Sequence, residues 1–173
     1  MFRKRKTKKR LALFILISAI VLTVCAIIFP DKNPQIGVAG RFVSDLLNGN
    51  INEVTAYLSS EAKIAARDTC PNNSPVGCVN QIIPIAWGKF ESAELRYAEP
   101  LNATTWSTLI LTQWSNLKGF SGDFVPVVVT VKLENGRWVV TGWRGFTLAA
   151  TNDDDQRGLV RGTIQTNEFP NWK

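Results

Sequence analysis

Histidine is absent from the 173 residues. That removes Ser/His and Cys/His nucleophile pairs, His-ligated zinc or haem, and any switch built on imidazole titration. What is left to an enzyme is carboxylate, Tyr, Lys or lone-Cys chemistry, and no pattern of such residues stands out. No catalytic residue, cofactor site or metal site is therefore expected, and the chain is read as a non-enzyme. Charge is scarce once the first ten positions are set aside. Seven of the twenty Lys and Arg residues lie there (Arg3, Lys4, Arg5, Lys6, Lys8, Lys9, Arg10), which leaves thirteen against fourteen Asp and Glu in the body. A nucleic-acid surface requires basic charge on the folded part, so no nucleic acid is expected as a partner. The length allows one ordinary domain with an appendage.

What is present begins with a long apolar run. Leu11 to Phe29 (LALFILISAIVLTVCAIIF) carries no charge and ends at Pro30-Asp31. A helix of that length spans roughly the 30 Å hydrocarbon core of a bilayer. A cleaved secretory signal has a shorter apolar region, of about 7 to 15 residues, before a small-x-small site, and no such site precedes Pro30. Leu22-Thr23-Val24-Cys25 resembles a lipobox, yet Val24 is bulky where that motif wants a small residue, and Ala26 to Phe29 continue the run. An uncleaved, single-pass signal anchor is the favoured reading. Residues 1–10 then form a basic cytoplasmic tail, residues 11–29 contact the lipid bilayer, and the remainder lies outside the cytoplasmic membrane, because the excess of Lys and Arg stays inside.

The cysteines agree with that placement. Cys25 lies in the apolar run, while Cys70 and Cys78 flank CPNNSPVGC, a turn-rich loop able to bring its ends together. In an oxidising compartment a Cys70–Cys78 disulfide is expected over two unrelated thiols or half a zinc site.

From residue 34 the pattern is first helical. Ile36, Val38, Ala39, Phe42, Val43, Leu46 and Leu47 form one apolar stripe, stopped by Asn48-Gly49-Asn50. Asn50 and Glu53 resemble a capping box for a helix carrying Ile51, Val54 and Leu58, and Ser59 or Ser60 caps a third helix from Glu61 to about Arg67. A further short helix is expected at Val79–Ile83. The period then changes. Residues 89–99 alternate, with Glu91, Ala93, Leu95 and Tyr97 on one side, and 104–114, 123–134 and 137–146 also read as strands. Trp106, Ile110 and Trp114 share one face. Asn135-Gly136 marks a two-residue hairpin turn. Its register pairs Glu134 with Arg137 and puts Val125, Val127, Val129, Val131, Leu133, Trp138, Val140, Gly142, Arg144 and Phe146 on a core face, with Arg144 the anomaly. The opposite face is polar apart from Val128, Val139 and Trp143. Residues 148–173 read as a polar extension: Asp153-Asp154-Asp155 lacks the spacing of a calcium loop and is expected to be a solvated loop, with 159–169 as an optional edge strand.

The expected fold is α+β, with three or four short helices packed on a curved, mainly antiparallel sheet of about four strands in a domain spanning 34–147. The stretches FVSDLLNGNINEVTAYLSSEAK (Phe42 to Lys63) and VVVTVKLENGRWVVTGWRGF (Val127 to Phe146) resemble the nuclear-transport-factor-2-like superfamily, whose cone-shaped α+β fold is shared with ketosteroid isomerase. The resemblance implies a cone between helices and sheet, where the family's enzymes hold a carboxylate base. Asp45, Asp68, Tyr57 and Tyr97 are the groups able to approach such a place, and each reads more simply as a helical surface carboxylate or a rim tyrosine. The combination with one membrane helix is similar to bitopic scaffold subunits of type IV secretion systems.

Two functional readings follow. The first is an extracytoplasmic interaction module, an accessory or scaffold subunit of a membrane or envelope complex, docking another protein or a homodimer partner through Val128, Val139 and Trp143 on the outer sheet face. The alternative is a binder of a small lipophilic ligand in a pocket of Tyr97, Trp138, Val140 and Arg144, with an isomerase or dehydratase behind it.

Overall fold

The structure is a computed structural model that describes residues 33–117, 124–146 and 152–164. The basic tail and the apolar run lie outside these residues. Among the described residues no helix is long and apolar enough to cross a membrane.

The chain is α+β, with five α-helices and a four-stranded antiparallel sheet among the described residues. Helix α1 spans Pro34–Leu47 and buries Ala39, Phe42, Val43 and Leu46, the stripe expected from their three- and four-residue spacing. It ends where Gly49 takes a positive φ. Helix α2 spans Ile51–Tyr57. Asn50 occupies its N-cap position but makes no side-chain cap bond; its amide donates instead to Asp45 Oδ1 at 2.8 Å, so the expected capping box is not formed. Helix α3 spans Ser60–Thr69, and Ser59 Oγ caps it by accepting from Ala62 N at 3.1 Å. Helix α4 spans Pro75–Ile82, starting four residues before the expected position because Ser74 caps it and Pro75 suits the first turn. Cys70, closing α3, and Cys78, inside α4, form the expected disulfide with their Cα atoms 4.8 Å apart.

The strands are β1 (Phe90–Asn102), β2 (Thr105–Trp114), β3 (Phe124–Glu134) and β4 (Arg137–Gly145), hydrogen-bonded in chain order. Asn135 and Gly136 both take positive φ in the β3–β4 turn, as a two-residue hairpin loop of this hand requires. From Glu134↔Arg137 to Val131↔Val140 the pairing follows the expected register. There it breaks: Thr130 pairs with Gly142, Val129 with Trp143 and Val128 with Arg144, so Thr141 is an extra, bulged residue. Because side chains alternate with period two, one inserted residue exchanges the faces of everything beyond it. Trp143 therefore enters the core beside Phe42, with ring centroids 5.1 Å apart, and Arg144 leaves it. The apparent anomaly of a charge on the core face is resolved by this bulge.

Strand β1 carries three such irregularities, at Glu91, Arg96 and Leu101. The one at Arg96 moves Tyr97 to the face opposite Ala93 and Leu95, so the simple alternation expected along this strand fails. The inner face of the sheet meets α1–α4 in one cluster that includes Phe42, Val54, Cys78, Ile110, Trp114, Val127, Val129, Val140 and Trp143. Trp106 packs at its margin, so Trp106, Ile110 and Trp114 do share one face. The free edge of β4 is closed where Ser59 N donates to Val140 O at 2.9 Å.

The outer face is covered as well. Asp153–Arg161 form helix α5, not a solvated loop, and the segment from 159 adds no strand among the described residues. Asn152 caps it by accepting from Asp155 N at 2.9 Å. Three aspartates occupy its first turn, Arg161 its last, and Gly162 closes it in the left-handed conformation.

Candidate functional site

Helix α5 makes the outer sheet face the most specifically organised surface of the domain. Leu159 and Val160 pack on Leu109, Leu111 and Val128, with Tyr97, Phe124 and Ile164 at the margin. Polar groups on the sheet read the end of the helix. Ser107 Oγ donates to the carbonyl of Val160 at 2.9 Å, and Arg144 Nη2 donates to the carbonyls of Leu159 and Val160. These carbonyls belong to the last turn, where Gly162 N also donates to Leu159 O at 3.1 Å and the negative end of the helix dipole lies, so a guanidinium is well matched to it.

Ion pairs fix both ends. Arg96 Nη2 lies 3.0 Å from Asp153 Oδ1, and Arg161 Nε lies 3.2 Å from Glu99 Oε2. The Arg157 guanidinium stacks over the Tyr97 ring at 4.4 Å from its centroid. The Tyr97 hydroxyl, and after it the Arg96 guanidinium, hold the Asp153 carboxyl below its ordinary range.

The outer patch expected from Val128, Val139 and Trp143 is not assembled. Val128 lies under α5, Trp143 is on the inner face at 3% exposure, and Val139, itself buried, pairs with Lys132 on the far side of the bulge. The expected pocket is likewise divided by the sheet. Trp138 and Val140 belong to the inner cluster, whereas Tyr97 packs with the α5 cluster and Arg144 binds the end of α5. The bulge at Thr141 displaces Trp143 and Arg144, the one at Arg96 displaces Tyr97, and α5 covers Val128.

The groups considered for acid–base work have structural partners. Asp45 accepts from Asn50 Nδ2 and, at 3.1 Å, from the Tyr57 hydroxyl, which ties the end of α1 to α2. Burial first, and then the bond to Asp45, push the Tyr57 hydroxyl above its ordinary pKa. Asp68 pairs with Arg67 at 2.8 Å on the surface. The buried polar side chains among the described residues are Gln35, Ser59, Ser74, Ser107, Thr108 and Thr112, none of them a carboxylate.

A second surface lies at the hairpin end of the sheet, where Leu133 N donates to Thr104 O at 2.8 Å and so brings both hairpin tips together. Leu101 and Leu133 are 53% and 36% exposed there, beside half-buried Trp106 and Trp138. Sequence reasoning missed this rim and missed α5. The signals for α5 were available: Asn152 followed by Asp155, then Arg161 and Gly162, are start and stop residues at helical spacing. No protein-family model matches the chain, and no curated protein matches it.

Proposed function

We propose that this chain is a single-pass membrane protein whose extracytoplasmic domain is an interaction module, an accessory or scaffold subunit of a membrane or envelope complex. The anchor is the run Leu11–Phe29, with the basic decapeptide on the cytoplasmic side. The domain is a cone of the nuclear-transport-factor-2-like kind, as the helix-turn-helix and Asn-Gly hairpin patterns suggest.

The observation that carries the reading is the apolar rim of Leu101, Trp106, Leu133 and Trp138. Side chains fill the inner face of the sheet and α5 packs on the outer one; of the exposed large apolar side chains Ile51, Ile64, Ile85, Leu95, Leu101 and Leu133, the last two lie at the hairpin end, on strands next to those that carry Trp106 and Trp138. A pair of partly buried tryptophans beside exposed leucines has the composition of a protein-binding patch. The rim takes the place of Val128, Val139 and Trp143 as the docking surface.

The test is mild extraction of the full-length protein from its native membrane, beside a Leu101→Glu/Leu133→Glu variant. Reproducible co-purifying proteins that disappear in the variant, with its melting temperature preserved, are the expected result. A protein that emerges alone in both forms defeats the reading. Extraction of the wild type by alkaline carbonate, without detergent, defeats the anchor.

A further inference from the structure

We infer that the segment 82–87, at the end of the domain where α1 begins, docks on the bilayer surface and seats Ile85 in its apolar boundary. This deepens the membrane-protein reading and rests on its anchor. The partner is the lipid surface itself, met by a stiff, uncharged, apolar projection.

Ile85 is 97% exposed, and the flanking Pro84 and Ala86 are exposed as well. It stands on a single 3₁₀ turn, Ile85–Trp87, introduced by Pro84. Trp87 roots the turn from beneath, buried and edge-on to Trp114 with ring centroids 5.6 Å apart. Trp87 N donates to Pro84 O at 3.0 Å, Gly88 N to Ile85 O at 3.1 Å and Asn116 N to Trp87 O at 3.1 Å. The carbonyls at 84, 85 and 87 are thus already bonded, and Pro84 has no N–H, which lowers the cost of moving the turn towards hydrocarbon. Its surroundings in the chain are uncharged. From Thr69 to Gly88 there is no Asp, Glu, Lys or Arg, so no ion has to be dehydrated when the turn meets lipid.

Position in the fold favours lipid over protein as the occupant. Trp114 ends β2 and Phe90 starts β1, so Trp87 marks the end of the sheet opposite the Asn135-Gly136 turn. Helix α1 enters at that same end. Its Phe42 meets Trp143 near the last residues of β4, whereas Asp45, farther on, bonds Tyr57. Tyr57 adjoins Ala56, whose carbonyl accepts from Arg137 at the start of β4. The helix therefore runs towards the hairpin end, and its first turn lies at the other. From Phe29, the last residue of the apolar run, to Pro34 the chain reaches at most about 18 Å. An anchor at 11–29 therefore keeps this end near the lipid and leaves the rim of Leu101 and Leu133 pointing away. A stable protein interface covers about 800 Å² per partner, far more than one isoleucine and its neighbours supply. A bilayer asks less, because the anchor has already delivered the domain and a small apolar insertion adds to an attachment already made.

The experiment uses the full-length chain on a Cys25→Ser background, so that the apolar run contributes no thiol, reconstituted into phosphatidylcholine vesicles. Ile85→Cys carries an NBD fluorophore, and Leu101→Cys, at the opposite end, carries the same label as the reference. The vesicles contain a lipid spin-labelled high on its acyl chain, which quenches only groups at the membrane boundary. The expected result is blue-shifted emission at 85, with quenching about twofold or more above that at 101. Adding Ala86→Glu to the Ile85→Cys chain should return quenching to the level at 101, with the melting temperature unchanged because position 86 is exposed. Equal quenching at 85 and 101 overturns the inference. So does quenching indifferent to Ala86→Glu, which marks the fluorophore itself as the inserting group. A probe at 85 shielded in the native membrane but not in pure lipid also overturns it, in favour of a protein occupant. Alkaline carbonate separates the two levels. A chain that resists extraction yet shows no quenching at 85 loses only the docked turn, and a chain that carbonate releases loses the anchor and this inference with it.

Discussion

Replacing Trp143 by alanine separates two descriptions of β4 by several kilocalories. An unbroken register from the Asn135-Gly136 turn, with residues 148–173 a solvated extension as the sequence suggested, puts Trp143 on an open outer face opposite Val128, where truncation of an exposed side chain would change stability by less than about 0.5 kcal/mol. The bulge at Thr141 puts it opposite Val129, 3% exposed and against Phe42. Truncating a buried Trp or Phe to Ala removes about 3–5 kcal/mol, from lost burial and the cavity left behind. For a chain of this size each kilocalorie moves the melting temperature by about 2–4 °C, so the variant should melt roughly 6–20 °C lower. Leu133→Ala is the control, since Leu133 is 36% exposed and its truncation should cost no more than about 1 kcal/mol. The assay is urea and thermal unfolding of the full-length protein in detergent, followed by circular dichroism. A Trp143→Ala variant as stable as Leu133→Ala would refute the bulge, and with it the placement of Arg144 on α5.

Reduction of Cys70–Cys78, or its removal as a double Ser variant, reopens a loop with eight residues of sequence separation. On the chain-entropy estimate this lowers stability by about 2.5 kcal/mol, and it is read from urea midpoints with and without reductant. Asp153 has its pKa lowered from the ordinary 3.8, so its contribution to holding α5 is complete above about pH 4 and fades as pH falls through the depressed value. Amide exchange of residues 156–161 should therefore accelerate relative to β2 below pH 4, and Asp153→Asn should remove that pH dependence; α5 protection that changes between pH 5 and 8 would contradict the assignment. Tyr57 has its pKa raised from the ordinary 10.0, by burial and then by Asp45, so its stabilising effect is present below pH 10 and declines as pH rises past it. Ultraviolet titration should find it ionising at lower pH in Asp45→Asn, and an unchanged titration would remove the Asp45 bond.

Periodicity over long segments was legible in the sequence. The α1 stripe, the Ser59 cap, the strand that joins Trp106, Ile110 and Trp114 on one face, the hairpin turn and the disulfide all follow from local rules, because each is decided by residues within a few positions of one another. The bulges are different. An inserted residue leaves the hydrophobic pattern locally intact and changes only which face it addresses, so Val125 to Val131 look the same whether or not Thr141 is paired. Gly142 was the one local sign, since a glycine inside a strand often accompanies a bulge. Helix α5 was hidden by composition: its apolar content reduces to Leu159 and Val160, and three adjacent aspartates read as solvated when their role at a helix N-terminus is overlooked. The start of α4 was misplaced because the disulfide loop was read as turn alone, although Ser74-Pro75 is a cap and first-turn pair. The candidate site failed with the register, since each of its two residue sets mixed positions from both sides of the bulge.

The two borders of the sheet bear on how these molecules crowd together. One border is sealed by the amide of Ser59, and the other is β1, long and unpaired along its outer side among the described residues. An uninterrupted strand of thirteen residues would be a template for endless addition of further strands, the first step towards a fibril. Here the kinks at Glu91, Arg96 and Leu101, and the missing donor at Pro100, interrupt the row of hydrogen-bonding groups every few residues. Irregularity along β1 thus protects against polymerisation, and straightening it, by deleting Arg96 for instance, would convert a self-limited domain into one prone to stacking.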